Sequence, residues 1–163
     1  MEDLKKIPRH MLVVDDEKSM RDLLKECLNE YGYEVTCAVN GQDALHIYKQ
    51  GHFDIVLSDL SMEPMDGLEL LNRIKEINPD VIFIMITGYP SIKSSIEAMK
   101  KGAKDYITKP FKIDEIKMKI ERALLEQNLQ GRLKNTQGIV WALIISIPVW
   151  LVLGIILAKM LMK

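Results

Sequence analysis

Cysteine and histidine are scarce in this 163-residue chain: two of the first, three of the second. Cys27 and Cys37 match neither zinc-ligand spacing nor a CxxC redox motif, and His10, His46 and His52 show no ligand spacing either. Both cysteines fall in apolar patterns, Cys27 in a predicted helix and Cys37 in a predicted strand, and are expected as core fillers in a reducing cytosol. No excess of positive charge exists. The net charge is −1, and no segment gathers a basic cluster, which argues against a nucleic-acid surface. Residues 1–9 are charged and lack the apolar stretch of a signal peptide. Acidic residues are absent after Gly138; the 25 residues beyond it carry only Lys159 and Lys163 as charges. The length allows one domain and an appendage, and no internal repeat is visible.

What is present is a set of short apolar runs, each stopping at a polar residue. Met11–Val14 ends at Asp15-Asp16, Ile55–Ser58 at Asp59, Val81–Ile86 at Thr87, and Tyr106–Thr108 at Lys109-Pro110. Such runs, β-branched and alternating with helical periodicity, read as buried parallel strands. Five strand–helix units follow. Strands are expected near 10–15, 34–39, 54–58, 81–86 and 105–108, the second being least apolar and so an edge. The first helix is expected from Ser19 as N-cap to Tyr31, with Met20, Leu23, Leu24, Cys27, Leu28 and Tyr31 forming one stripe and Gly32 stopping it. Asn40-Gly41 reads as a turn before a short helix carrying Ala44, Leu45 and Tyr48. A third helix turns Leu68, Leu71 and Ile74 inward until Asn78-Pro79; a fourth covers 91–101; a fifth starts near Ile113. The fold class is α/β: a five-stranded parallel, doubly wound sheet with right-handed crossovers.

Parallel strands end at one edge, where open α/β sheets build their sites. Asp15, Asp16 and Asp59 would there meet the Thr87 hydroxyl and the Lys109 ammonium. Three carboxylates so close need a cation or a proton, and an oxygen-only set with room for water and phosphate suits Mg²⁺.

These residues carry a resemblance. Val13-Val14-Asp15-Asp16-Glu17, Asp54 to Leu60, Met65-Asp66-Gly67, Ile86-Thr87-Gly88, Gly102-Ala103 and Asp105 to Phe111 together resemble a receiver domain of a two-component response regulator of the nitrogen-regulation type, a flavodoxin-like fold. The resemblance implies that Asp59 is the phosphoacceptor, phosphorylated by a sensor histidine kinase or a small phosphodonor. It implies that Asp16, Asp59 and the Ser61 carbonyl hold Mg²⁺, with Asp15 acting directly or through water. Lys109 and Thr87 would stabilise the phosphoryl group, Thr87 and Tyr106 would be the switch pair, and Lys109–Pro110 would be a cis peptide. The protein would not be an enzyme in its own right but a phosphoacceptor that assists its own phosphorylation and dephosphorylation. One departure from the family's pattern stands out: proline commonly lies four residues after the acceptor, where this chain has Glu63, with Pro64 following.

The division expected is a tail over 1–8, the receiver over 9–126, a linker over 127–138, a transmembrane helix over 139–158 and a short tail over 159–163. Residues 139–158 carry no charge, and 13 of those 20 are Ile, Leu or Val. As a helix this segment would be about 30 Å long, the thickness of a bilayer's hydrocarbon core. Kinase and phosphodonor are cytoplasmic, so a single-pass anchor in a bacterial cytoplasmic membrane would leave the receiver on the cytoplasmic side. Gly138, Ala142, Ser146, Gly154 and Ala158 fall on a four-residue stripe of the kind that allows close helix pairing, hence a possible homodimer. The expected function is a membrane-tethered switch whose surface binds a downstream protein; the alternative is a phosphate sink or relay without output. A phosphohydrolase would want a second acid after Asp59-Leu60-Ser61 and a cap region, and neither is there.

Overall fold

The computed structural model describes residues 9–129. Five strands, β1 (His10–Val14), β2 (Glu34–Ala38), β3 (Ile55–Asp59), β4 (Ile82–Thr87) and β5 (Asp105–Thr108), alternate with helices α1 (Lys18–Glu30), α2 (Gly41–Gln50), α3 (Gly67–Ile77) and α4 (Ile92–Lys100). A fifth helix, α5, occupies 113–129. All strand pairs are parallel, in the order β2-β1-β3-β4-β5. The sheet is the doubly wound one expected, with β2 at an edge.

Alternation along the strands splits the core between the two faces of the sheet. Met11, Val13, Ile55, Leu57, Ile82, Ile84 and Ile86 pack with Leu24 and Leu28 of α1 and with Ile116 and Ile120 of α5. Leu12, Val14, Val56, Phe83 and Met85 pack on the other face with Ala44 and Tyr48 of α2, Leu70, Leu71 and Ile74 of α3, and Ala98 of α4. Every residue of β3 and β4 is buried. That is why Ile55–Leu57 and Ile82–Ile86 are apolar without alternation, as strands covered on both faces must be. Each such Leu, Ile or Phe contributes on the order of 1.5–3 kcal/mol of burial.

Several local expectations are corrected. The N-cap of α1 is Glu17, not Ser19, because the Asp15 carboxylate accepts from the Glu17 amide and turns the chain into the helix two residues earlier. Leu23 (46% exposed) and Tyr31 do not join the stripe of α1. Asn40-Gly41 is not a free turn: the Asn40 side chain accepts from the Asp43 amide and caps α2. In α3 the innermost leucines are Leu70 and Leu71, with Leu68 only partly buried. Cys27 and Cys37 are free thiols, but half-buried rather than core. Gly32 and Gly102 do end their helices in the left-handed region, at φ of 84° and 95°.

The chain divides into two units, Met1–Leu124 and Leu125–Lys163; of the second, only 125–129 are described. No helix among the described residues is long and apolar enough to cross a membrane. The tail over 1–8, the span over 139–158, its small-residue stripe and the tail over 159–163 lie outside the described residues, as does the linker from 130 onward.

Candidate functional site

Register brings the polar strand ends together. Val14 pairs with Ser58, so the next residues, Asp15 and Asp59, stand side by side at the carboxyl edge. Asp59 pairs with Ile86 and Thr87 with Thr108, which puts Lys109 just beyond the same edge. Four chain segments separated by up to 94 residues thus meet at one point.

Asp15, Asp59 and Thr87 are all buried. Lys109 Nζ donates to Asp15 Oδ2 at 2.7 Å and lies 3.1 Å from Asp59 Oδ1. Asp15 Oδ1 accepts from the Glu17 amide at 2.9 Å, and the Asp15 carbonyl accepts from Arg21 Nη1 at 2.7 Å. Asp59 Oδ2 accepts from the Ser61 amide at 3.2 Å. Asp59 Oδ1 is buried with no hydrogen bond of good geometry, only the ionic contact to Lys109. A buried carboxylate oxygen in that condition is costly.

The electrostatics follow. Burial pushes the Asp59 carboxyl above its ordinary value; the charge of Lys109 opposes this, and Asp15 adds to the rise. Burial alone would weaken the Lys109 ammonium, but Asp15 and then Asp59 outweigh it, so that its pKa stands above the usual lysine value. Two buried carboxylates share one ammonium.

Not every expected residue joins this cluster. Asp16 is exposed and lines an open cleft with Leu60, Ser61, Met62, Glu63 and Asp66. Among the described residues no group of three or more His, Cys, Asp or Glu side chains is ready-made for a metal. The Thr87 hydroxyl accepts from the Tyr89 amide at 3.1 Å. Tyr106 is half-buried, and its hydroxyl lies 3.0 Å from Ser94 Oγ of α4. Lys109–Pro110 is a cis peptide, and so is Glu63–Pro64, at the departure noted in the sequence.

Arg21 and Ser94 were not among the expected site residues, and Gly67 was expected only as part of the Met65-Asp66-Gly67 motif. Arg21 lies four residues after Glu17, a spacing that could have suggested its return to the site. Gly67 packs its backbone against that of Asp59: an added Cβ would overlap the Asp59 carbonyl oxygen and sit 2.8 Å from Met85 Sδ. Ser94 gave no signal in the sequence.

A parallel doubly wound sheet with two buried aspartates and a lysine at its carboxyl edge is a site whose charges suit a phosphoryl group, and comparison supplies the family. The profile of the response regulator receiver domain matches residues 11–121; the chain belongs to that family and carries the receiver domain of a two-component response regulator. It is 35% identical over 125 residues to the regulatory protein AtoC of Escherichia coli, covering 77% of this chain and 27% of that protein. It is 40% identical over 119 residues to the transcriptional regulatory protein ZraR of Klebsiella oxytoca, covering 73% and 27%. The chain thus spans about a quarter of the length of these curated relatives. Among solved structures, a receiver domain protein from Clostridium thermocellum superimposes with a TM-score of 0.71 at 31% identity, covering 75% of this chain and 98% of that one. NtrX from Brucella abortus gives 0.74 at 34% identity, over 79% and 29%.

Proposed function

We propose that this chain receives a phosphoryl group on Asp59 from a sensor histidine kinase, in a Mg²⁺-dependent step, and thereby changes a surface read by a partner at the membrane. The observation that carries the reading is the buried Asp59 Oδ1, left without a hydrogen-bond donor 3.1 Å from the Lys109 ammonium. An in-line attack by that carboxylate forms the Asp–O–P bond as the phosphohistidine N–P bond breaks. The departing imidazole keeps the electron pair and takes its proton from solvent. Lys109 is placed to meet the charge on the transferring group, and its raised pKa keeps it cationic. Asp59 must be ionised to attack, and Lys109 is the group that opposes the effect of burial upon it.

The residues fit a divalent cation. One buried carboxylate oxygen of Asp59 has no hydrogen bond, and the two buried carboxylates of Asp15 and Asp59 face a single ammonium. Asp16, Asp59 and the Ser61 carbonyl would hold Mg²⁺, with Asp15 acting directly or through water; when bound, the ion supplies charge neutralisation for phosphoryl transfer. Thr87 and Tyr106 form the switch pair: the threonine hydroxyl turns to the phosphoryl oxygens and the ring follows it inward. The protein acts as a phosphoacceptor that assists its own phosphorylation and dephosphorylation, not as an enzyme on a separate substrate.

Residues 139–158 tether the receiver to the cytoplasmic face of a bacterial membrane, with pairing through the small-residue stripe, and tethering raises its effective concentration for membrane partners. The E. coli relative NtrC is named a DNA-binding transcriptional regulator, but the match covers about a quarter of that protein. For this chain, at a net charge of −1, the partners proposed are proteins and the membrane, with no nucleic acid. Incubation with acetyl phosphate and Mg²⁺ tests the acceptor: the wild type gains one phosphoryl group and Asp59→Asn gains none. Equal incorporation by the variant would overturn the assignment.

A further inference from the structure

The first turn of α4 is built around one hydroxyl. Ser91 caps the helix, its Oγ accepting from the Ser94 amide at 3.0 Å, and Ser94 Oγ returns to accept from the Ser91 amide at 3.3 Å. Ser94 Oγ also donates to the Ser91 carbonyl at 3.0 Å. The Tyr106 hydroxyl lies 3.0 Å from Ser94 Oγ and the Ser91 hydroxyl 2.8 Å from it, each a hydroxyl pair in which either oxygen can donate. The ring of Tyr106 is therefore held by the same oxygen that completes the cap of α4.

Thr87 is tied to the same segment. Its Oγ1 accepts from the Tyr89 amide, two residues before the cap at Ser91. Tyr89 and Ile92 are 85% and 81% exposed, so the loop and first turn have little packing beyond these bonds. Their order depends on a handful of hydroxyl contacts.

We infer that Ser94 is a positioning residue whose hydroxyl latches the Tyr106 ring in its resting rotamer and so sets the balance of the switch before phosphorylation. This rests on the reading of Thr87 and Tyr106 as the switch pair. When Thr87 leaves Tyr89, the loop that carries the cap loosens, the latch weakens, and the ring and the N-terminal turn of α4 are released together. One lost hydrogen bond of ordinary strength corresponds to about a fivefold change in the population ratio. By linkage, a variant already released shifts the phosphorylation equilibrium towards the aspartyl phosphate by up to about fivefold.

The test uses the full chain labelled with 3-fluorotyrosine, the Tyr106 resonance being assigned by its loss in Tyr106→Phe. Without phosphodonor, Ser94→Ala is expected to raise the second ring population about fivefold, while Ser94→Thr, which keeps the hydroxyl, stays near wild type. Ser95→Ala removes a hydroxyl bonded to the Ile92 carbonyl and should leave the ring unchanged. Hydrogen exchange in the first turn of α4 separates latching from capping: Ser94→Ala should lower protection more in the wild type than in Tyr106→Phe. Equal losses in both backgrounds, or an unmoved Tyr106 resonance, would overturn the latch. Acetyl phosphate added to the same samples reads the acceptor reaction separately, because the ring populations are measured before any phosphoryl transfer.

Discussion

Replacing Lys109 by methionine keeps the apolar stem and removes the ammonium that contacts both Asp15 and Asp59. Lys109 lies 2.7 Å from one carboxylate and 3.1 Å from the other. At an effective dielectric constant of about 20, those contacts are worth about 6 and about 5 kcal/mol before desolvation. Two effects reduce the net loss. The Lys109 side chain is still 21% exposed, and Asp59, its pKa already raised by burial, can take up a proton when the ammonium is gone. Breaking a buried pair costs about 3–5 kcal/mol, and these discounts place the expected loss near the lower end, about 3 kcal/mol at neutral pH. For a domain of this size that is a fall in Tm of about 12 °C. Urea and thermal unfolding of the full chain in detergent, without divalent cations, reads it directly. Lowering the pH should shrink the difference, because protonated carboxylates no longer need a cation. Mg²⁺ should restore part of the loss, since it neutralises the same oxygens. A loss below about 1 kcal/mol, or one independent of pH, would refute the claim that Lys109 balances two buried charges.

Gly67→Ala should destabilise by about 1–3 kcal/mol in urea, because its Cβ overlaps the Asp59 carbonyl oxygen in a packed core that cannot yield; an unchanged midpoint would show that the loop relaxes freely. Asp59→Asn should stabilise the cation-free protein at neutral pH. A carboxyl whose folded pKa is raised costs nothing below its ordinary value of 3.8, costs progressively more as pH rises towards the folded value, and costs a constant amount above it. The variant's advantage should therefore be absent in acid and grow with pH, and an advantage confined to low pH would contradict the sign. Truncation before Ile139 should move the chain from the membrane fraction to the soluble one; retention at the membrane would remove the proposed tether.

Much of this fold could be read from residue patterns because its strands are covered on both faces. A run such as Ile82–Ile86 is apolar throughout, and β5 falls at Asp105–Thr108 as expected. The convergence of Asp15, Asp59, Thr87 and Lys109 followed from parallel strands alone, without knowledge of the register. Details set by individual hydrogen bonds were not legible. Glu17 displaces Ser19 as the N-cap because a site residue, Asp15, accepts from its amide, so the demands of the site override local capping preference. Asp16 and Asp15 look equivalent in sequence, yet just past the end of β1 one is exposed and the other buried. The Ser94–Tyr106 contact joins residues on different elements and leaves no trace in periodicity.

The most direct test of the central claim is to map the phosphoryl group chemically. After brief exposure to acetyl phosphate and Mg²⁺, borohydride reduces an aspartyl phosphate to homoserine, which marks the acceptor permanently for peptide mass analysis. Homoserine at position 59, and at no other aspartate, is the predicted result. Homoserine at Asp15 or Asp16, or none anywhere after full exposure, would contradict the assignment of Asp59 and of the site built around it.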